Sequence, residues 1–306
     1  MVYDTIIIGA GPAGLTAGIY AKRACLNALV FRDKYSVNSQ ICNTYEVCNY
    51  PGLNNISGQE LYDKIENHAK EIGVEIISDK VTELVDINLD VKKVKTKENV
   101  YETKTIILAT GAAPKKGGFE REDDLVGNGV SYCATCDGAF FKDKEVAVIG
   151  GGDVAVEDAI YLSRIAKKVY LIVRKDFLSA TKILQNELKN KDNVEILYNS
   201  VVKSTIGDGK LESILYKHKD DIILSELTVD GLFVGIGINP NTELLKDKVE
   251  MIHSYIVADE TCKTSVGGVY AIGDVRKKQL RQVITATADG ANVITSVQKY
   301  LLDKYK

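Results

Sequence analysis

The chain opens on an apolar run that ends at a glycine, Asp4-Thr5-Ile6-Ile7-Ile8-Gly9. Apolar residues on both faces predict a buried parallel strand rather than a half-exposed one. Leu15 to Arg23 reads as a helix and Ala28 to Phe31 as a second strand. Residues 58–72 predict an amphipathic helix. Short runs broken by polar turns over 74–108 predict a β-meander, with Thr105 to Ala109 a buried strand closed by Thr110-Gly111. The pattern then restarts. Glu145 to Ile149 reads as a strand, Gly150-Gly151-Gly152 as a turn, Ala155 to Ala166 as a helix and Val169 to Val173 as the next strand. Further short strands are expected over 194–234, and the run 268–275 as a buried strand leading to an acid. A helix over roughly 282–300 closes the pattern.

A strand, glycine turn, helix and strand in succession begin a dinucleotide fold. Here the unit recurs about 140 residues on. The expected class is therefore α/β, with two Rossmann-like, three-layer ββα domains, the second inserted in the first. The boundaries expected are 1–113 and 245–306 for the first domain and 114–244 for the inserted one. A length of 306 residues suits two domains. The net charge of -3 argues against a nucleic-acid partner. No apolar run approaches a membrane span, and Met1-Val2-Tyr3-Asp4 leads straight into a strand without a signal-like segment. A cytoplasmic protein is expected.

The first loop is Gly9-x-Gly11-x-x-Gly14. Its glycines allow a tight turn, the approach of a pyrophosphate and close helix packing, and the helix N-terminus offers N–H groups to phosphate. The second loop, Gly150-x-Gly152-x-x-Ala155, repeats the pattern with a small third residue. It reads as a second pyrophosphate site, or as the echo of a duplicated domain that binds nothing.

Between the loops lies Cys133-Ala134-Thr135-Cys136-Asp137. Two thiols at this spacing can close and reopen a disulfide, and a lowered thiol pKa lets the thiolate attack another disulfide. Asp137 sits where it can relay a proton to a leaving thiolate. The competing reading, half of a zinc site, lacks its other ligands: there is no second Cys pair at this spacing, and His68, His218 and His253 are far apart. No metal is expected. Cys25, Cys42, Cys48 and Cys262 read as incidental or buried thiols.

These segments resemble the low-molecular-weight, FAD-containing thioredoxin reductases, of the class II pyridine nucleotide-disulfide oxidoreductases. The resemblance rests on GAGPAGLTAGIYAKRACL at 9–26, YEVCNYPG at 45–52 and ILATGAAPKK at 107–116. It continues through SYCATCDGAFFKDKEVAVIGGGDVAVEDAIYL at 131–162, GLFVGIGINPNT at 231–242 and GGVYAIGDVRKKQLRQVITATADGA at 267–291. The resemblance implies FAD pyrophosphate on Gly9, Gly11 and Gly14, with Gln40 and Asn49 lining the flavin. It implies a domain crossover at Thr110-Gly111, Asp274 at the ribityl or pyrophosphate end, and Arg281, Gln282 and Val283 over the flavin ring. Cys136 would take electrons from the flavin, Cys133 would attack the partner's disulfide, and Asp137 would be the acid–base group. Gly150, Gly152, Asp153, Ala155, Arg174 and Lys175 would hold the nicotinamide nucleotide. The family is homodimeric, and its inserted domain rotates between two orientations.

Three departures stand out. Arg32, with Asp33 next, replaces the Glu that the family often uses for the FAD ribose. Asn38-Ser39-Gln40 replaces Gly-Gly-Gln. Val173-Arg174-Lys175, with Ser179 after it, replaces His-Arg-Arg and a later Arg, the cations that pair with a 2′-phosphate. No acid stands at Val173 or Arg174 for a free 2′-hydroxyl. The expected function is transfer of two electrons from NAD(P)H through FAD and the Cys133–Cys136 pair to thioredoxin, with NADPH favoured over NADH. The alternatives are a flavin disulfide reductase with another dithiol carrier or another donor, and a redox sensor without turnover.

Overall fold

The computed structural model describes residues 1–33, 39–44, 47, 49–53 and 56–305. The chain opens with β1 (Val2–Ile8), α1 (Pro12–Arg23), β2 (Ala28–Arg32), α2 (Gly58–Glu71), β3 (Glu75–Ser78), β4 (Val81–Val85), β5 (Lys92–Thr96) and β6 (Val100–Leu108). After β7 (Ala112–Pro114) come β8 (Val130–Ser131), α3 (Ala134–Asp137), β9 (Glu145–Ile149), α4 (Asp153–Ser163) and β10 (Lys168–Ile172). Then follow α5 (Lys182–Lys189), β11 (Val194–Leu197), β12 (Ser200–Ile206), β13 (Ser213–His218), β14 (Ser225–Thr228) and β15 (Gly231–Val234). β16 (Ile238–Pro240) precedes β17 (Met251–Ile252), β18 (Tyr255–Ile256), β19 (Val269–Ala271) and α6 (Val283–Lys304). Contacts divide the chain into two compact units. One comprises Met1–Cys42, Tyr50–Ala113 and Asn239–Lys306; the other comprises Asn43–Asn49 and Pro114–Ile238.

In the first unit β3, β2, β1, β6 and β19 form a parallel sheet, which β5 and β4 extend antiparallel. The period of two along a strand divides the isoleucines of β1 between two cores. Ile7 faces α1 and α6 with Ile107 and Val293, while Ile6 and Ile8 face the antiparallel strands with Leu84 and Val94. The second unit repeats the plan. Its parallel sheet runs β11-β10-β9-β15-β8, with Val146 and Val148 against α4. Ala147, Tyr170 and Ile172 pack against the β12-β13-β14 sheet on the other face. Each unit is thus a Rossmann-like α/β layer stack, and most of the second is inserted between Ala113 and Asn239.

Two elements differ from the sequence reading. The predicted meander over 74–108 loses its first strand: β3 pairs parallel with β2, Leu29 opposite Glu75. The helix α2 supplies the crossover that such pairing needs, so only β4, β5 and β6 form the meander. The run 268–275 is extended only over Val269–Ala271. Gly273 has φ +71 and turns the chain into a single 3-10 turn that presents Asp274.

Candidate active site

Cys133 and Cys136 are joined as a disulfide with their Cα atoms 5.3 Å apart. Cys133 caps the short helix α3 in an extended conformation, and its carbonyl accepts from the N–H groups of Cys136 (3.2 Å) and Asp137 (3.1 Å). The helical turn thereby brings both sulfurs together. Ser131, buried on β8, organises the adjacent acid. Its Oγ donates to Asp137 Oδ2 at 2.5 Å and accepts from the Cys133 N–H at 3.0 Å. Burial pushes the Asp137 carboxyl above the ordinary carboxylate range, and the Ser131 hydrogen bond pulls the other way. Asp137 Oδ1 is buried without a partner. Ser131 was not singled out from sequence; its place two residues before Cys133 on a strand is the signal that marks it.

The glycines of the first loop fall into two kinds. Gly9 has φ +114, and a Cβ there would lie 2.3 Å from the Ala109 carbonyl oxygen. A Cβ on Gly14 would lie 1.8 Å from the Gly9 carbonyl oxygen. The protein itself requires these two. Gly11 has ordinary angles, φ -76 and ψ -177, and a Cβ there would meet only Ser39 Oγ at 3.4 Å. Its missing side chain leaves room before the N-terminus of α1, which has no side-chain cap and starts at Pro12. That room suits a pyrophosphate.

In the same unit Asp274 Oδ1 and Arg281 Nε are buried without partners. Burial raises the Asp274 carboxyl, with Lys278 and Arg281 acting against it. The turn carrying Asp274 is held by Asp289 of α6. Asp289 accepts from Gly273 N, Arg276 Nε and Lys278 Nζ, each at 2.8 Å, and from Arg276 Nη2 at 2.7 Å. Arg281 lies 4.0 Å from the centre of the Tyr255 ring, Gln282 caps α6, and Val283 is its first residue. Thr110 Oγ1 donates to the Asn241 carbonyl at 2.5 Å, and Gly111 O accepts from Asn241 N at 3.0 Å. Gln40, exposed, starts a 3-10 turn whose next residue, Ile41, is buried; Asn49 is also exposed. A polar ligand with donors and acceptors fits these orphaned atoms, as the adenine-dinucleotide part of FAD requires.

Arg32 does not stand free at the end of β2. It is ion-paired with Glu66 of α2, whose Oε1 also accepts from Lys70 at 2.8 Å. Asp33 approaches Lys80 at 3.8 Å. Asn38 and Cys48 lie outside the described residues. Cys25 is exposed and Cys42 half-buried, while burial pushes the Cys262 thiol up to about 12. Among the described residues no group of three His, Cys, Asp or Glu is placed to hold a metal ion. No helix among them is long and apolar enough to cross a membrane.

The second loop repeats the same division. Gly150 has φ +139, and a Cβ there would lie 2.6 Å from Ala155 Cβ and 2.7 Å from the Gly235 carbonyl oxygen. A Cβ on Gly152 would meet nothing closer than Ser179 Oγ at 3.8 Å. Gly152 therefore leaves open space at the N-terminus of α4, as Gly11 does at α1. Ala155 is fully buried. Asp153, first in α4, uses Oδ1 to accept from Thr181 N at 2.7 Å. Ser179 closes back on the loop, its N–H 2.7 Å from the Gly151 carbonyl. Beside the loop lies a cavity of about 470 Å³ lined by Gly150, Gly151, Val173, Arg174, Lys175 and Ser179, among others. Sequence reasoning also passed over Asp158 on α4, which burial pushes up to about 7 with Glu157 contributing.

Residues 3–290 match the pyridine nucleotide-disulphide oxidoreductase family. The chain belongs to that family. A thioredoxin reductase of Peptoclostridium acidaminophilum is 42% identical, covering 98% of this chain and 97% of its own. One from Listeria innocua is 43% identical over 98% of this chain and 94% of its own. The crystal structure of thioredoxin reductase from Streptococcus pyogenes superposes with a TM-score of 0.94 at 41% identity, covering 99% of both chains. Each unit thus carries its own glycine loop before a helix N-terminus, and the second also carries a disulfide beside a half-buried acid.

Proposed function

We propose that this protein is a thioredoxin-disulfide reductase, taking two electrons from NAD(P)H and delivering them to oxidised thioredoxin. The observation that carries the reading is the Cys133–Cys136 disulfide with the half-buried Asp137 beside it, in the same unit as the loop that Gly152 leaves open. The first unit is assigned to FAD, on Gly9, Gly11 and Gly14 with Asp274, Arg281, Gln282 and Val283. The second is assigned to the nicotinamide nucleotide, on Gly150, Gly152, Asp153, Ala155, Arg174 and Lys175. The protein works in the cytoplasm as a homodimer, with NADPH preferred over NADH.

FAD, when bound, supplies a carrier that exchanges two electrons with both a nicotinamide and a disulfide. The remaining chemistry belongs to the chain. Two electrons and two protons open the Cys133–Cys136 bond. The Cys133 thiolate attacks one sulfur of thioredoxin's disulfide and expels the other as a thiolate, leaving a mixed disulfide. Asp137, protonated to higher pH than an ordinary carboxyl, delivers a proton to the departing sulfur. The Cys136 thiolate then attacks the Cys133 sulfur, releases thioredoxin's second sulfur and restores the intramolecular disulfide.

The purified protein is expected to be yellow, and anaerobic NADPH is expected to bleach it with a lower midpoint than NADH. Cys136→Ser should retain bleaching and lose thioredoxin reduction. A colourless protein refutes the flavin assignment. Thioredoxin reduction that survives Cys136→Ser refutes the electron path.

A further inference from the structure

We propose that a basic cleft on the β12–β13 hairpin holds the 2′-phosphate of NADPH, in place of the arginines missing from the loop after β10. The inference rests on the assignment of the second unit to a nicotinamide nucleotide. A second cavity, about 260 Å³, is lined by Arg174, Lys203, Lys217, His218 and Lys219 together with Asn199 and Val201. It shares Arg174 and Val201 with the larger cavity beside Gly150. The two spaces therefore adjoin at the residue that follows Val173.

The hairpin reaches this place through backbone bonds. Ser200 N donates to the Val173 carbonyl at 3.0 Å and Asn199 N to the Lys175 carbonyl at 3.1 Å. These bonds stitch the start of β12 to the loop that reads the adenosine ribose in dinucleotide folds. Lys217 lies directly across from Val201 in the ladder, and Lys219 N donates to the Asn199 carbonyl at 2.8 Å. The lysines of β13 are thus carried to the side of Arg174.

The charge is uncompensated. Among the described residues Arg174, Lys203, Lys217 and Lys219 are in no ion pair, whereas Lys167 and Lys168 of the same unit are each paired with a glutamate. The neighbouring acids, Asp176, Asp220 and Asp221, line neither cavity. His218 Nδ1 accepts from Asp220 N at 3.4 Å, which leaves Nε2 uncommitted in that bond. Four cations around one small cavity suit a compact dianion, and a phosphate monoester is the dianion that a ribose bound beside Arg174 would place there.

The test is calorimetric titration of the FAD-loaded enzyme with 2′,5′-ADP and with 5′-AMP, which share the adenosine and differ in the 2′-phosphate. The wild type is expected to bind 2′,5′-ADP at least about tenfold more tightly. The double variant Lys217→Gln/Lys219→Gln is expected to lose most of that ratio while 5′-AMP affinity holds, with an unchanged flavin spectrum and melting temperature reporting the fold. Single Lys217→Gln gives a second variant should the pair unfold. Equal binding of the two ligands by the wild type, or equal weakening of both by the variants, overturns the proposal. A raised KM for thioredoxin with the ratio intact also overturns it, and assigns the cleft to an acidic protein surface. If NADPH fails to bleach the flavin while 2′,5′-ADP is still discriminated, the electron-donor reading falls and the cleft assignment stands.

Discussion

The Gly150→Ala and Gly152→Ala variants separate what the fold needs from what a ligand needs. At Gly150 the new methyl would sit 2.6 Å from Ala155 Cβ and 2.7 Å from the Gly235 carbonyl oxygen, on a backbone with φ +139. The strained backbone costs about 1–3 kcal/mol and the overpacking about 1–3 kcal/mol more. A loss of roughly 2–6 kcal/mol, at about 2–4 °C per kcal/mol for a unit of this size, lowers the melting temperature by roughly 4–24 °C. At Gly152 the backbone is ordinary, φ -92 and ψ -177, and the nearest atom to a Cβ is 3.8 Å away. Alanine gains about 0.4–1 kcal/mol from a less flexible unfolded chain and loses a similar amount as a poorer helix cap. The two cancel to within about 1 kcal/mol, so the melting temperature moves by no more than about 4 °C. The methyl does occupy the space before α4, and nicotinamide nucleotide binding should weaken by more than about tenfold. Differential scanning calorimetry and an anaerobic nucleotide titration on the flavin-loaded protein read the two effects. Gly152→Ala that melts as early as Gly150→Ala, or that binds nucleotide normally, defeats the argument that this glycine serves a ligand.

Three further substitutions test the site. Because Asp137 is raised, its protonated form persists above the ordinary carboxylate range, and thioredoxin reduction should fall as pH rises through that raised value. Asp137→Asn should cost about 10²–10⁴ in turnover and abolish this limb, whereas Ser131→Ala removes the bond that lowers the carboxyl and should move the limb to higher pH; an unmoved pH profile in both variants would dismiss Asp137 as the acid. The folded form also loses stability from Asp137 as pH climbs from the unfolded carboxylate value through the folded one, so Asp137→Asn should gain most on wild type at neutral pH and above in urea titrations. Asp289→Ala leaves Lys278 buried without its carboxylate and Arg276 with only the exposed Glu260, and should cost about 3–5 kcal/mol in urea unfolding, with FAD released on dilution; unchanged flavin retention would mean that the Asp274 turn does not depend on α6.

The parts legible in the sequence are those whose chemistry is local. An apolar run ending in glycine dictates a buried strand and a tight turn whatever lies around it, so β1, β9 and their loops were readable. The dithiol was readable because a spacing of three residues closes a disulfide within one turn of chain. Arg32 was legible as a departure at the end of β2, where the family often has Glu, but its ion-pair partner, Glu66, comes from a helix more than thirty residues on. Glycine motifs likewise concealed a distinction: Gly9 and Gly14 answer to their own backbone, Gly11 and Gly152 to empty space.

By itself the sequence determined that two parallel α/β layers would form, each with a glycine turn before its first helix, and that a closely spaced cysteine pair would sit between those turns along the chain. The tertiary structure decided which groups meet. It paired β3 with β2, set Asp289 under the turn of Asp274, hung Asp137 from Ser131 and stitched the lysines of β13 beside Arg174. Strand and turn formation depend on neighbours a few residues away, whereas pairing, burial and charge depend on partners that only the packed chain brings within hydrogen-bonding distance.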